Sequence, residues 1–240
     1  TTLNGMLGLG AYGSSPSSDT QGTLKVSGGD LTVNNLDDGA YGTLDASGHT
    51  LTVSGITTGL GESKRLTMNA DYIVLKPTSK STGFQYVDAK AVDTLTFSLT
   101  TSKVDVSNST ISAATLLVNG TDVNNYVQIM DSVLTLTTGT TVDQATLAFS
   151  KSAAVGMQTS YVLKAVTLRN GGNLVVNDSQ LTFTTWSDVG NTGTVDLFDG
   201  SLSQASGTDD DITINSTVSG GNAMLAVNGN LTLAGSGNEL

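Results

Sequence analysis

The sequence predicts an all-β protein, a right-handed parallel β-helix (β-solenoid) of about ten coils of roughly 20–23 residues, with three short strands per coil. Three observations predict this fold: a composition of strand and turn residues, a short two-strand unit that recurs, and a longer spacing between equivalent apolar positions. At 240 residues, the chain is long enough for one large β domain or two ordinary ones.

The composition favours strands and turns over helices. Thr, Ser, Asn, Val and Leu dominate, 28 glycines accompany only two prolines, and charged residues make up 13% of the chain. Disordered segments rich in Gly and Ser usually carry more charge and more proline, so we expect an ordered chain. There is no cysteine, and a large repetitive β structure does not depend on disulfides.

A unit of two apolar-polar-apolar triplets joined by a turn recurs along the chain. In its first copy, "LKVSGGDLTV", Leu24 and Leu31 are seven residues apart. Alternate residues of a strand face opposite sides, so Leu31 and Val33 point one way and Thr32 the other. One unit cannot cover its own apolar side and needs a neighbour stacked on it. The other copies are "LDASGHTLTV", "LTMNADYIVL", "VDVSNSTIS", "VQIMDSVLTL", "LVVNDSQLTF" and "LAVNGNLTL".

The spacing between units separates a solenoid from a sandwich. Leu24 and Leu44 are 20 residues apart, Leu44 and Leu66 are 22, and Leu174 and Val195 are 21. This period matches one coil of a three-stranded parallel β-helix, whereas a hairpin series would show spacings of about 8–12 residues without a longer period. The alternative is an antiparallel β-sandwich, in which "SGGD" and "NGN" form the hairpin turns.

Stacking in register predicts one outward column of hydroxyls and one inward stack of apolar side chains. The outward column would contain Thr32, Thr52, Thr67, Thr96, Thr135, Thr182, Thr213 and Thr232. The inward stack would contain Leu31/Val33, Leu51/Val53, Leu66/Met68, Leu95/Phe97, Leu134/Leu136, Leu181/Phe183 and Leu231/Leu233.

Parts of the chain lack this alternation. Residues 1–22 are predicted to be an N-terminal loop or cap, and residues 23–240 a single solenoid. Irregular excursions are expected near 76–94 and 150–165. Such excursions from a rigid scaffold often carry specific contacts.

Four residues are candidates for binding a partner. Lys80, Phe84 and Tyr86 lie in the first excursion, and Trp186 lies in "LTFTTWSD", at or past the end of a strand. Aromatic rings can stack on a glycan or a matrix protein. For Trp186, packing at the rim of the core is the competing interpretation.

The chain carries little catalytic equipment. Its one histidine, His49, lies in the turn of "ASGHTLTV" and is interpreted as an exposed turn residue, and no G-x-S-x-G motif occurs. Carbohydrate-cleaving β-helices need clustered carboxylates and a basic residue. The two arginines, Arg65 and Arg169, have no carboxylate pair beside them that recurs one coil away. We therefore expect no enzymatic activity and no cofactor.

The charges argue against metal and nucleic-acid partners. One histidine, two glutamates and no cysteine leave no soft transition-metal site. The densest acidic cluster, Asp209, Asp210 and Asp211, lacks EF-hand spacing and is interpreted as a solvated loop. A net charge of −11 disfavours binding to phosphate backbones.

The units "LKVSGGDLTVNNL", "GGNLVVNDSQLTF" and "AMLAVNGNLTLAGSGN" resemble the passenger domains of Gram-negative autotransporters (type V secretion), especially the self-associating and adhesive kind. The resemblance covers residues 22–75 and 95–240 and lies in the style of the repeat. It implies a right-handed parallel β-helix displayed on the outer surface after export through a C-terminal membrane barrel outside this sequence. The family shares no binding residues at fixed positions, so none is carried over.

These observations predict a surface-exposed adhesin passenger. It would mediate cell–cell aggregation or biofilm formation by self-association, or bind host extracellular matrix or glycan. Its partners would be an identical passenger on a neighbouring cell or a host surface, with membrane contact only through the missing barrel. The alternatives are a glycan-binding β-solenoid, or an inactive relative of a polysaccharide lyase or tail-spike. An ice-binding solenoid ranks last, because it needs two threonine columns and "LTV" supplies one.

Overall fold

The structure is a computed structural model that describes residues 1–10, 21–36, 42–54, 65–77, 81–85 (backbone only), 87–100, 103–151, 160–208 and 210–239. Within these ranges every regular element is a strand, and no helix that could cross a membrane is found. The strands are β1 (Thr2–Leu7), β2 (Gly22–Lys25), β3 (Leu31–Leu36), β4 (Gly42–Ser54), β5 (Leu66–Lys76), β6 (Ser81–Gln85), β7 (Val87–Ser98), β8 (Lys103–Ser107), β9 (Thr110–Asn119), β10 (Tyr126–Met130), β11 (Val133–Asp143), β12 (Thr146–Ser150), β13 (Ser160–Arg169), β14 (Asn173–Asn177), β15 (Gln180–Ser187), β16 (Thr194–Phe198), β17 (Ser201–Gln204), β18 (Ile212–Ile214), β19 (Thr217–Ser219), β20 (Met224–Ala226) and β21 (Leu231–Leu233).

The strands stack as a parallel β-solenoid of about eight turns, close to the ten expected. A 12-stranded sheet and a 7-stranded sheet form the walls, and β18 and β21 form a separate two-stranded sheet. Every described strand pairing is parallel, so the solenoid prediction is confirmed over the antiparallel sandwich. Parallel neighbours require the chain to travel round the coil before it returns, which explains the long period.

Each full coil has three segments. The long strands of the 12-stranded sheet bend at a bulge, as between β5 and β7, where pairing stops after Ala70↔Ala91 and resumes at Tyr72↔Thr94. The first segments are β2, the N-terminal halves of the long strands β4, β5, β7, β9, β11, β13 and β15, then β17 and β20. The second segments are β1, β3 and the C-terminal halves of the same long strands, and the third segments are β6, β8, β10, β12, β14, β16 and β19.

The strand register confirms most of the predicted spacings and corrects one. Leu24 pairs with Leu44, and Leu174 pairs with Val195. Leu44, however, pairs with Met68, whereas Leu66 lies opposite Gly42. Gly22 and Gly42 lie opposite each other at this level. A side chain on Gly42 would collide with the backbone oxygen of Gly22, so the close approach requires glycine there.

The recurring two-triplet unit occupies two different corners of the coil. In "LKVSGGDLTV", "LDASGHTLTV" and "LTMNADYIVL" it joins a first to a second segment, and in "LAVNGNLTL" it joins β20, a first segment, to β21 of the two-stranded sheet. In "VDVSNSTIS", "VQIMDSVLTL" and "LVVNDSQLTF" it joins a third to a first segment. The unit therefore encodes a strand, a corner and a strand, and does not mark one position in the coil.

The inward stack forms the hydrophobic core as predicted, apart from its last pair. The other predicted inward residues are buried, and the core also contains Phe149 and Tyr161, whose ring centroids lie 4.9 Å apart. Leu231 is 36% exposed, and Leu233 is only partly buried. Their strand, β21, pairs with β18 on one side only, so Leu231 lies outside the core and Leu233 packs against its edge.

The irregular regions contain more strand than the sequence predicted. In the predicted N-terminal loop, β1 pairs with β3, and residues 11–20 lie outside the described residues. The excursion at 76–94 contains β6 and the start of β7, where inward alanines are too small to give a strong apolar pattern. In the excursion at 150–165, β13 begins at Ser160, and residues 152–159 lie outside the described part.

Candidate functional site

Two outward rows of side chains run along the second segments and contain no charged residue. The first row contains Thr50, Tyr72, Thr94, Thr115, Gly139, which is buried, Ala165 and Thr185. The second row contains Thr2, Thr32, Thr52, Val74, Thr96, Leu117, Thr141, Thr167 and Ser187. We call these two rows together the uncharged face.

The uncharged face arises from strand alternation and in-register stacking. Leu51, Leu95 and Leu116 point into the core between the two rows, so their neighbours point outward. At a strand spacing of about 4.8 Å, the second row extends over roughly 40 Å. Most side chains of the uncharged face are half-buried, and Tyr72 of the first row is its exposed large side chain, at 45% exposed.

The outward sides of the other segments carry charges. On the first segments, Lys25 Nζ lies 3.4 Å from Asp45 Oδ2. On the third segments, Lys103 Nζ lies 3.2 Å from Asp105 Oδ1. The uncharged face is therefore a local feature of a strongly acidic chain.

Charged groups also occur at the borders of the uncharged face, where several are held by hydrogen bonds. On one border, Asp30 Oδ1 accepts a hydrogen bond from Thr50 N at 2.9 Å, and Thr94 Oγ1 donates to Asp93 Oδ1 at 3.2 Å. Tyr72 also forms a hydrogen bond with Asp93, and this bond together with the negative charge of Asp93 raises the pKa of Tyr72. On the other border, Arg169 Nε donates to Asp143 Oδ2 at 2.9 Å.

A stronger ion pair lies on the first segments. Arg65 donates hydrogen bonds to Asp88 from two of its three guanidinium nitrogens, Nη2–Oδ1 at 2.6 Å and Nε–Oδ2 at 3.2 Å. Burial alone would raise the pKa of Asp88, but hydrogen bonds from Arg65 and Thr110 outweigh it, so the pKa is lowered. Arg65 is thus held in a bidentate ion pair with Asp88.

The predicted single threonine column is wrong. Thr32, Thr52 and Thr96 do share the second row of the uncharged face. Thr135 and Thr182 lie on first segments because their units join a third to a first segment. Thr67 lies in the first triplet of its unit, and Thr232 lies in the separate two-stranded sheet. Thr67 pairs with Thr43, Thr135 with Ser112, Thr182 with Ser203, and Thr232 with Thr213. The sequence missed Thr94, Thr115, Thr141 and Thr167, which no "LTV" triplet marks.

Of the four predicted binding residues, the structure describes the side chain of Trp186 only. The Trp186 ring packs edge-on against Phe183 at 5.5 Å and is partly buried against the core. Its Nε1 is buried and has no hydrogen-bond partner in the described structure. Of Phe84 only the backbone is described, within β6, and Lys80 and Tyr86 lie outside the described residues. The rim-packing interpretation of Trp186 therefore agrees with its contacts.

The other predicted features are structural or isolated. His49 lies within β4 near a corner and is partly exposed. Asp211 accepts hydrogen bonds from the backbone and side chain of Asn230, which lower its pKa, and Asp209 lies outside the described residues. Across the described part of the chain, no three metal-ligating side chains converge.

One buried carboxylate ties neighbouring coils together. Asp188 is 1% exposed, and its Oδ2 accepts hydrogen bonds from Asn215 N at 2.9 Å, Ser216 N at 2.8 Å and Ser216 Oγ at 2.8 Å. Burial by itself raises the pKa of Asp188, but the hydrogen bonds from Ser216 and Asn215 outweigh it and lower the pKa. Asn191 extends the network by donating to Ser216 Oγ at 2.9 Å.

The geometry thus offers one extended uncharged surface within the described residues. Comparison of the chain with protein-family models, with curated proteins and with solved structures finds no significant match.

Proposed function

We propose that this protein is an adhesive β-solenoid whose uncharged face binds the same face of a second copy. The observation that carries the proposal is the absence of charge along both rows of that face, in a chain whose net charge is −11. On such a chain, two copies can approach closely where neither copy presents a charge.

The physical chemistry favours contact through this face. Burying an unpaired charge costs far more free energy than burying a hydroxyl that finds a hydrogen-bond partner. Threonine supplies both a methyl group and a hydroxyl, and each new hydrogen bond is worth about 1 kcal/mol net. Acidic groups elsewhere on the two copies are screened, because the Debye length is about 8 Å at physiological ionic strength.

The extended shape suits a weak contact that is repeated many times. A face that binds the same face of a second copy forms a two-fold symmetric interface. In such an interface, every contact from one copy to the other occurs twice, once in each direction. One pair of faces need not bind tightly, because many copies on two apposed cells raise the effective concentration of each further contact.

The setting that we propose is the outer surface of a Gram-negative bacterium. The style of the repeat supports an autotransporter passenger, which would promote aggregation and biofilm formation. Host extracellular matrix is the second class of partner that the same face would accommodate, since a matrix protein also offers hydroxyls and apolar groups. No enzymatic activity is proposed.

A second candidate is ice, because the face has two outward rows and not the single one that the sequence suggested. Thr50 with Thr52 and Thr94 with Thr96 form threonine pairs on adjacent rows. Tyr72 with Val74 interrupts them. An ice lattice repeats one spacing, whereas a protein surface adapts to irregular side chains, so the interruption favours a protein partner.

The test is the settling of cells that display the chain, alone and mixed with cells that lack it. We expect cells displaying the wild-type chain to clump with each other only. The double variant Thr96→Lys/Thr141→Lys should abolish clumping, because it places like charges in the centre of the face. Surface changes of this kind alter stability by about 0.5 kcal/mol or less, which urea unfolding of the purified chain checks.

The matched control is Thr135→Lys/Thr182→Lys, which adds the same charge to outward positions of the first segments. This variant should clump like the wild type. If the wild-type cells stay dispersed, self-association is excluded. If both double variants lose clumping equally, net charge and not the uncharged face controls aggregation. Inhibition of ice growth by the wild type would favour the second candidate.

A further inference from the structure

The corner between the third and first segments turns at one residue in the left-handed backbone region. Asparagine and aspartate adopt this region more readily than other residues with a side chain. These corner residues are Asn108 (φ 50°), Asp131 (φ 48°), Asp178 (φ 49°), Asp199 (φ 48°) and Asn222 (φ 54°). They stack along the rod as a ladder of amides and carboxylates.

A serine follows the corner residue in three of these coils, and one of the three differs from the others. Ser109 Oγ accepts a hydrogen bond from Val87 N at 3.0 Å. Ser132 Oγ accepts one from Ser109 N at 3.2 Å and donates to Met130 O at 2.8 Å. Ser179 is equally buried, at 2% exposed, yet its Oγ has no hydrogen-bond partner in the described structure. Buried hydroxyls without a partner are rare and call for an explanation.

Ser179 lines an open groove of about 370 Å³ that follows the corner from coil to coil. Other lining residues are Lys151, Asp178, Gln180, Asp199 and Asn222. Asn222 Nδ2 donates to Asp199 Oδ1 at 3.1 Å, which orients both groups along the groove.

Two exposed apolar side chains lie at the same corner. Met224, at 55% exposed, lines the groove. Phe198, at 56% exposed, precedes Asp199 in the chain, and its ring lies beside Gly221, next to Asn222. Exposed aromatic and thioether groups next to hydrogen-bonding groups offer a surface for a ligand with an apolar face and polar edges.

We propose that this corner groove binds a carbohydrate chain of uncharged sugar units. Sugars present C–H faces for Met224 and Phe198, and hydroxyls that both donate and accept hydrogen bonds. Two aspartates against one lysine disfavour acidic sugars. The lysine, and the lack of a third metal-ligating side chain among the described residues, disfavour a cation.

The site is independent of self-association because it lies on another side of the coil. The uncharged face belongs to the second segments, and the groove lies where the third segments meet the first. Loss of sugar binding is therefore distinguishable from loss of clumping. Groove variants should leave the settling of displaying cells unchanged.

The test is isothermal titration of the whole chain with defined oligosaccharides. The probes are the β-1,4-linked hexamers of glucose and of N-acetylglucosamine, with hexagalacturonate and calcium chloride as comparisons. We expect at least one neutral hexamer to bind, and the acidic hexamer and calcium not to bind. Absence of binding by both neutral hexamers, or binding of only hexagalacturonate or calcium, overturns the proposal.

The variants locate the site. Asp199→Asn keeps a residue that accepts the left-handed corner but removes the charged acceptor, and Met224→Ala removes the apolar contact. Each should weaken binding about tenfold. For Asp199→Asn the reason is that a hydrogen bond to a charged group is worth more than one to a neutral group, and for Met224→Ala it is the lost apolar contact. Met6→Ala, at an exposed methionine of β1, is the matched control and should bind like the wild type. Equal affinity of all three variants places the sugar elsewhere and overturns the proposal.

Discussion

The middle of the stack and its last coil are built from the same kind of sequence unit but differ in burial. In "LVVNDSQLTF", Leu174 and Leu181 are buried between coils on both sides. In "LAVNGNLTL", the corresponding Leu225 is only partly buried, and Leu231 is 36% exposed. The contrast shows that the burial of an apolar side chain in a solenoid depends on the coils stacked on either side of it, and not on the sequence of its own unit.

The sharpest test of this contrast is removal of one apolar side chain from each region. Phe149→Ala should lower the free energy of unfolding by about 3–5 kcal/mol, because Phe149 is fully buried and packs on Tyr161. Leu231→Ala should cost less than about 1 kcal/mol, since part of its side chain is already in water. Urea unfolding of both variants measures the difference. Equal losses would show that the last coil is as well packed as the middle.

A somewhat smaller effect is expected from the buried polar network. Asp188→Asn should cost about 3 kcal/mol at pH 7, because the amide replaces a charged acceptor with a group that cannot accept from all the Asn215 and Ser216 donors. The control is Asp196→Asn, on the half-exposed outer side of β16, which should cost about 0.5 kcal/mol or less.

The cost of Asp188→Asn should also depend on pH. The folded-state pKa of Asp188 lies below its unfolded value of about 3.9. Its contribution to stability is therefore fully present above about pH 5 and is lost as the pH falls through the folded-state pKa. Urea unfolding at pH 7 and at pH 3 should show the variant and the wild type converging at the lower pH. A constant difference at both pH values would contradict the charged-network account.

The smallest effect concerns a close approach of coils. Gly193→Ala should cost about 1–3 kcal/mol, because an added Cβ would collide with the backbone oxygen of Gly172 in the adjacent coil. Gly5→Ala should be neutral or slightly stabilising, since nothing lies within 4 Å of an added Cβ there. Thermal unfolding of the pair measures both effects. A neutral Gly193→Ala would mean that the coils at this level can separate without cost.

Much of the fold was predictable because a solenoid repeats local information. The alternation in Leu31-Thr32-Val33 predicts which side chains are inward, and the structure confirms it. The short inward residues Ala89 and Ala91 give no such signal, so the sequence predicts an irregular excursion where β7 begins. The candidate site was less predictable, because Thr141 and Thr167 lie outside any recognisable triplet.

The sequence by itself determined the alternation of inward and outward residues, the strand-corner-strand unit and the parallel solenoid, because these depend on side chains a few residues apart. Only the tertiary structure decided which outward residues share a row. The pairing of Leu44 with Met68, and the bulges within the long strands, shift one coil against the next by amounts that no single unit encodes. The uncharged face and the corner groove both depend on those shifts, because each is assembled from residues about twenty positions apart that meet only when the coils stack.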